Sequence, residues 1–129
     1  MVGETDLGRL LEGMAPELDG ESWGYACVAD LPGGIVPFAL IREAEGLTVI
    51  APFAALQAAG IDVQGPFARI TLRIHSSLAA VGLTAAVSAA LAQAGISANM
   101  VAGYHHDHIL LASADAVRAL AVLEALRHG

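Results

Sequence analysis

In the stretch FARITLRIHS, Ala68, Ile70, Leu72 and Ile74 alternate with Arg69, Thr71, Arg73 and His75. Side chains on a strand point alternately to its two faces, so a period of two sets a strand with one apolar face. The period then changes. Leu83, Val87, Ala90, Leu91 and Ala94 recur at i, i+4, i+7, i+8 and i+11, one helical stripe from which Thr84, Ser88 and Gln93 are excluded. Ser76 and Ser77 stand where that helix needs its N-cap, which places Gly82 inside it, and Gly95 followed by Ile96 supplies a left-handed C-cap with its apolar contact.

Two more strands, in SANMVAG and HILLA, and a helix over SADAVRALAVLEALR complete the second half; Ser113 caps that helix, with Asp115 in its first turn and Arg127 in its last. The order strand, helix, strand, strand, helix is that of a split βαβ unit, an α+β, ferredoxin-like fold with helices on one face of the sheet. No strand follows the last helix, so the fourth place in that sheet falls to something from the first half.

The first half opens with Leu7, Leu10, Leu11 and Met14 at helical spacing, with Thr5 or Asp6 as N-cap and Pro16 as the stop. SWGYACVAD, the residues from Pro37 to Arg42, and LTVIA read as a strand meander joined by LPGG and EAEG turns. Trp23 and Tyr25 alternate along the first of these strands and cover one face, and Cys27 reads as a small core side chain. PFAALQAAGI follows as a short helix, with Pro52 in its first turn and Gly60 at its end. AALQAAGI at 54–61 echoes AALAQAGI at 89–96, which fits a duplicated architecture.

Composition narrows the chemistry. With 56% hydrophobic and only 5% aromatic residues, the core is built from Ala, Val, Leu and Ile. All six basic residues are arginine, so no lysine is present to serve a phosphate loop or form a Schiff base. No nucleophile elbow or glycine-rich phosphate loop occurs, and the reading is that of a protein that is not an enzyme and takes no cofactor. The net charge of −7 speaks against a nucleic-acid surface. Cys27 is the only cysteine, the charges in MVGETDLGRLLEGM exclude a signal peptide, and Leu78 to Ala94 is too interrupted to span a membrane, so a cytoplasmic location is expected.

YHHDHILL concentrates three of the five histidines next to Asp107. On a continuous strand His106 and His108 share one face while His105 and Asp107 share the other. A catalytic zinc needs three protein ligands, so a metal site at His105 to His108 ranks below a turn in which Asp107 binds nearby backbone N–H groups.

Over HSSLAAVGLTAAVSAALAQAGISANMVAG and on through YHHDHILLASADAVRALAVLEAL, the chain resembles an ACT domain, and in particular a small bacterial branch with two ACT-like units in tandem. The opening helix and EAEGLTVI carry a thinner likeness in the first half. The resemblance implies a βαββαβ, ferredoxin-like ACT architecture in two units, 1–64 and 65–129. It also implies a regulatory module that binds a small ligand, an amino acid, between units, and that pairs as a homodimer. Its ligand site would comprise His75, Ser76, Ser77, Leu78, Val81, Gly82 and Leu83 at the helix start, with Asn99, Met100 and Val101 on the facing strand. Glu43 and Glu45 are candidates for the ligand's amino group. The chain departs from the usual ACT pattern, which begins this loop with an aspartate, so the contacts of better-known sensors are not copied. The alternatives are a ligand-free interaction module and the histidine metal site.

Overall fold

The computed structural model describes residues 6–74 and 81–128. Its helices are α1 (Leu7–Gly13), α2 (Phe53–Ala58), α3 (Leu83–Gln93) and α4 (Ala116–His128), the last entered through a 3₁₀ turn at Ser113–Asp115. The strands are β1 (Pro16–Leu18), β2 (Trp23–Val28), β3 (Ala39–Glu43), β4 (Gly46–Pro52), β5 (Gln64–Leu72), β6 (Asn99–Ala102) and β7 (Asp107–Ala112). Among the described residues these seven strands form one antiparallel sheet in the order β3-β4-β2-β5-β7-β6, with β1 also paired to β5. No helix among the described residues is long and apolar enough to cross a membrane.

β5 joins the two halves. Its start pairs with β2 (Trp23 with Phe67, Tyr25 with Gln64), its end pairs with β1 (Pro16 with Leu72, Leu18 with Ile70), and its other edge pairs with β7 from Phe67 to Leu72. The fourth strand of the second unit is therefore β1, contributed from the opposite end of the chain. Sequence periodicity passes over β1, because three residues beginning with proline carry no alternation.

All four helices lie on one face. Alternate residues of the central strands, Ala68, Ile70 and Leu72 on β5 and Ile109 and Leu111 on β7, are buried with Leu83, Val87 and Leu91 of α3 and Ala119 and Leu123 of α4. Leu10 and Met14 of α1 belong to the same cluster and are fully buried. A smaller cluster packs Leu56 of α2 on Ala26, Leu47, Val49 and Ala51.

The opposite face is the less anticipated one. Phe38, just before β3, lies with its ring 5.7 Å from Trp23 on β2 and 5.0 Å from His108 on β7. In a flat sheet β3 and β7 would stand about 19 Å apart, four intervals of ~4.8 Å, so the sheet must coil, concave on the side away from the helices. Coiling buries residues that alternation assigns to solvent. Thr71 is 7% exposed, and Ile50 and Leu110, also on this face, are fully buried. Cys27 goes the other way: on the concave face it pairs with Thr48 beyond the Phe38 cover and is exposed, a correction to its expected core position.

The two echoing segments share a local structure. Gly60 and Gly95 both adopt φ 74°. At α2 the N–H groups of Ile61 and Gly60 donate to the carbonyls of Leu56 and Gln57, and at α3 those of Ile96 and Gly95 donate to Leu91 and Ala92. Both are Schellman caps. Since α2 links β4 to β5 whereas α3 links β5 to β6, the echo marks a repeated way of ending a helix and not equivalent positions in two repeats.

Candidate ligand-binding site

His75, Ser76, Ser77 and Leu78 lie outside the described residues. Gly82 is the N-cap of α3, in the left-handed region at φ 102°, and makes no side-chain cap hydrogen bond. It is thus not inside the helix, as the serine caps imply, but at its start. The backbone conformation there disfavours any side chain, and Leu7 of α1 packs close by, its Cδ2 3.3 Å from where a Cβ would sit. The first intrahelical bond runs from the Ala86 N–H to the Gly82 carbonyl, so the N–H groups of residues 83–85 point out of the helix end without an intrahelical acceptor. Val81 is 83% exposed, while the Leu83 side chain is 3% exposed and turned into the core.

The expected facing strand divides between the two faces of the sheet. Met100 pairs with Ile109 and packs against the core, whereas Asn99 and Val101 pair with Leu110 and His108 on the concave face. Asn99 Nδ2 donates to the Leu110 carbonyl at 3.2 Å. Since β6 runs parallel to β5, its Val101 end lies at the same end of the sheet as Leu72 and the start of α3, and Asn99 lies farther away. Glu43 ends β3, the edge opposite β6 in the strand order, and accepts a hydrogen bond from the Thr48 hydroxyl, while Glu45 sits in the turn between β3 and β4.

The histidines diverge. His105 meets the Tyr104 ring at 4.9 Å, His106 Nδ1 approaches the Ile74 carbonyl at 3.4 Å, and His108 Nδ1 is hydrogen-bonded to Thr71 Oγ1 at 2.9 Å. Among the described residues no three His, Cys, Asp or Glu side chains gather so as to hold a metal ion. Gly103 completes the turn, its N–H donating to the His106 carbonyl at 2.9 Å, and any Cβ there would lie 2.8 Å from that oxygen.

Sequence reasoning missed the layer on the concave face. Arg69 Nε donates to Asp19 Oδ2 at 2.6 Å, while its guanidinium carbon lies 4.4 Å from the centroid of the Trp23 ring and 4.7 Å from that of Phe38. Trp23 Nε1 donates to Asp19 Oδ1 at 3.3 Å. The available signal was an arginine amid an apolar alternation with tryptophan and phenylalanine elsewhere in the chain, which does not by itself say that they meet.

His108, against Phe38, is held below its ordinary pKa of 6.5, chiefly by burial and then by the charges of Arg69, His106 and Arg73, with Asp107 acting in the opposite sense. The unfolded chain takes up this proton near ~6.5, more readily than the folded one. The His108 contribution to stability is therefore complete above that value and is lost as pH falls through the depressed folded pKa. Melting temperature should fall more steeply from about pH 7 to about pH 5 in the wild type than in His108→Asn. Parallel profiles would show that His108 is not the group responsible.

One ACT-domain model matches residues 2–68 and a second matches residues 68–125. The chain belongs to the ACT-domain family. Its two ACT matches meet at Ala68, in the middle of the strand that both halves of the sheet share. ACT domains are regulatory ligand-binding units, and this chain carries two in tandem. A Vibrio cholerae protein of unknown function, described as a possible transport protein, is 40% identical, with 94% of this chain and 95% of that one covered and a TM-score of 0.85. An Agrobacterium tumefaciens protein is 18% identical over 87% of each chain, with a TM-score of 0.66. The ligand-free regulatory subunit of aspartate kinase from Thermus thermophilus is 15% identical, covers 86% of this chain and 95% of its own, and has a TM-score of 0.62. The last two likenesses are of fold. No curated protein matches the chain.

Proposed function

We propose that this ACT protein is a cytoplasmic regulatory module that senses an amino acid between its two units, 1–64 and 65–129. The walls of the site are residues 75–83 and the β6 strand. The observation that carries the reading is Gly82, a left-handed N-cap that offers the first N–H groups of α3 no side-chain acceptor of its own and whose backbone conformation disfavours any side chain. Such a helix start favours a small anion through its N–H groups and its partial positive charge, and an amino-acid carboxylate is one. Leu7 against Gly82 means that α1, from the first half, borders the site.

A thermal-shift screen of the common amino acids tests this. Present at 100 times its dissociation constant, the ligand adds ~2.7 kcal/mol to stability, or about 10 °C for a chain of this size. If no amino acid raises the melting temperature, the sensing function is rejected.

A second reading, a ligand-independent pairing module, is favoured by β3, an edge strand on which Leu40 and Ile41 are 46% and 48% exposed. It predicts a dimer in light scattering that forms equally with and without amino acids, together with no amino-acid thermal shift, whereas sensing predicts the shift.

A further inference from the structure

The concave face also holds a trough that shares only Asn99 with the proposed amino-acid site. A depression of roughly 330 Å³ is walled by Tyr25, Cys27, Thr48, Asp62 and Gln64, and another of roughly 260 Å³ adjoins it, sharing Tyr25 and Gln64 and continuing to Phe67 and Asn99. The larger lies within the range of small-molecule sites, ~300–1,000 Å³. The trough crosses the concave face from β4 to β6.

We propose that this trough binds an organic cation, an amine or guanidine on a flat or slender apolar body without a carboxylate. Its centre is aromatic: Tyr25 and Phe67 meet edge to face, with centroids 5.2 Å apart at 74°, and ring faces attract cations. Burial raises the Tyr25 pKa, so its hydroxyl stays protonated at neutral pH and can donate or accept. One end is acidic. Asp62 is exposed and enters no ion pair among the described residues, and the Thr48 hydroxyl beside it already donates to Glu43. Among the described residues no Lys, Arg or His lines either depression, so a ligand carboxylate would meet Asp62 without a compensating cation. The net charge of −7 draws cations toward the chain in general. The same face already solves this recognition problem once, with its own Arg69 set against the Trp23 and Phe38 rings and paired to Asp19. The trough presents the same ingredients, two rings and a carboxylate, to a cation from solution.

Cys27 makes the test direct, because it is the only cysteine, is exposed and lines the trough. Alkylation of the full chain by iodoacetamide is followed by intact mass, with tyramine or agmatine added at matched ionic strength. Saturable slowing by about tenfold is expected from at least one of the two amines, with the Asp62→Asn protein needing about tenfold more of it, the size of one charge-assisted contact. Tyrosine and arginine, the same bodies carrying a carboxylate, should protect at least about tenfold more weakly for the same reason. Unchanged Cys27 reactivity with both amines overturns the site, and equal protection by the carboxylated partners, or undiminished protection in Asp62→Asn, overturns the assignment to cations. An amino-acid thermal shift without amine protection would leave the sensing function standing and remove this inference; protection without the shift would do the reverse.

Discussion

Leu10→Ala is expected to lower the unfolding free energy by about 2–5 kcal/mol, the cost of emptying a leucine site in a closed core. Nothing about its position near the start of the chain predicts so large an effect. The reason is where the side chain goes: Leu10 is fully buried in the cluster built by Ile70, Leu72, Leu83 and Leu123, residues at least 60 positions downstream. Leu7, on the same helix but 38% exposed, provides the control, and Leu7→Ala should cost less than about 1 kcal/mol. Urea denaturation of the two variants measures the difference. Equal losses would mean that α1 only rests on the second unit instead of completing its core.

That expectation is supported by backbone as well as side-chain contacts. The Arg73 N–H donates to the Met14 carbonyl at 2.8 Å, and Arg127 Nε, at the end of α4, donates to the Glu12 carbonyl at 3.0 Å. The segment carrying α1 and β1 is thus tied into the second unit at the sheet and at the helix layer. Because Leu7 of that segment also borders Gly82, a loss of packing in α1 would be felt at the proposed amino-acid site. Leu10→Ala should therefore weaken any amino-acid response more than an equally destabilising change in the α2 cluster.

How much of this was legible in the sequence depends on whether a feature is local. The period-two run in β5, the stripe on α3 and the Gly95-Ile96 cap are statements about neighbours along the chain, and the structure has them. The need for a fourth strand was legible as a count, but β1 was not, since Pro16–Leu18 becomes a strand only by pairing with β5. Asp6 could be read as a cap, and it accepts from the Arg9 N–H. Gly82 could be singled out by residue type, but its role as N-cap depends on Leu7 and on a positive φ that no periodicity encodes. For the site, the sequence could name residues but not faces. Asn99 and Met100 are adjacent in the chain, and the strand sends one to the concave trough and the other to the core. Burial of Thr71 and exposure of Cys27 both depend on the coiling of the whole sheet, which single-strand alternation cannot convey.

The largest test of that coiled face is Arg69→Met, for which a loss of about 2–4 kcal/mol is expected even though an apolar side chain of similar length replaces the arginine. Arg69 and Asp19 are 21% and 26% exposed at their side chains, so solvent screens their 2.6 Å pair only in part. Without Arg69, the Asp19 carboxylate keeps its bonds from Trp23 Nε1 and the Glu21 N–H but loses its charge partner, next to two aromatic rings. A double-mutant cycle separates the pair from the packing. Arg69→Met combined with Asp19→Asn should recover about 1–3 kcal/mol relative to the sum of the single changes, because the second substitution removes the stranded charge. Trp23, the only tryptophan, stacks on the guanidinium, and its fluorescence follows each unfolding transition at the site itself. A single-variant loss below about 1 kcal/mol with no coupling would make this an ordinary screened surface contact. Strong coupling would identify it as the clamp that fastens the chain just beyond β1, where Asp19 also donates its N–H to the Arg69 carbonyl, and so as part of what keeps the contributed strand in the second unit's sheet.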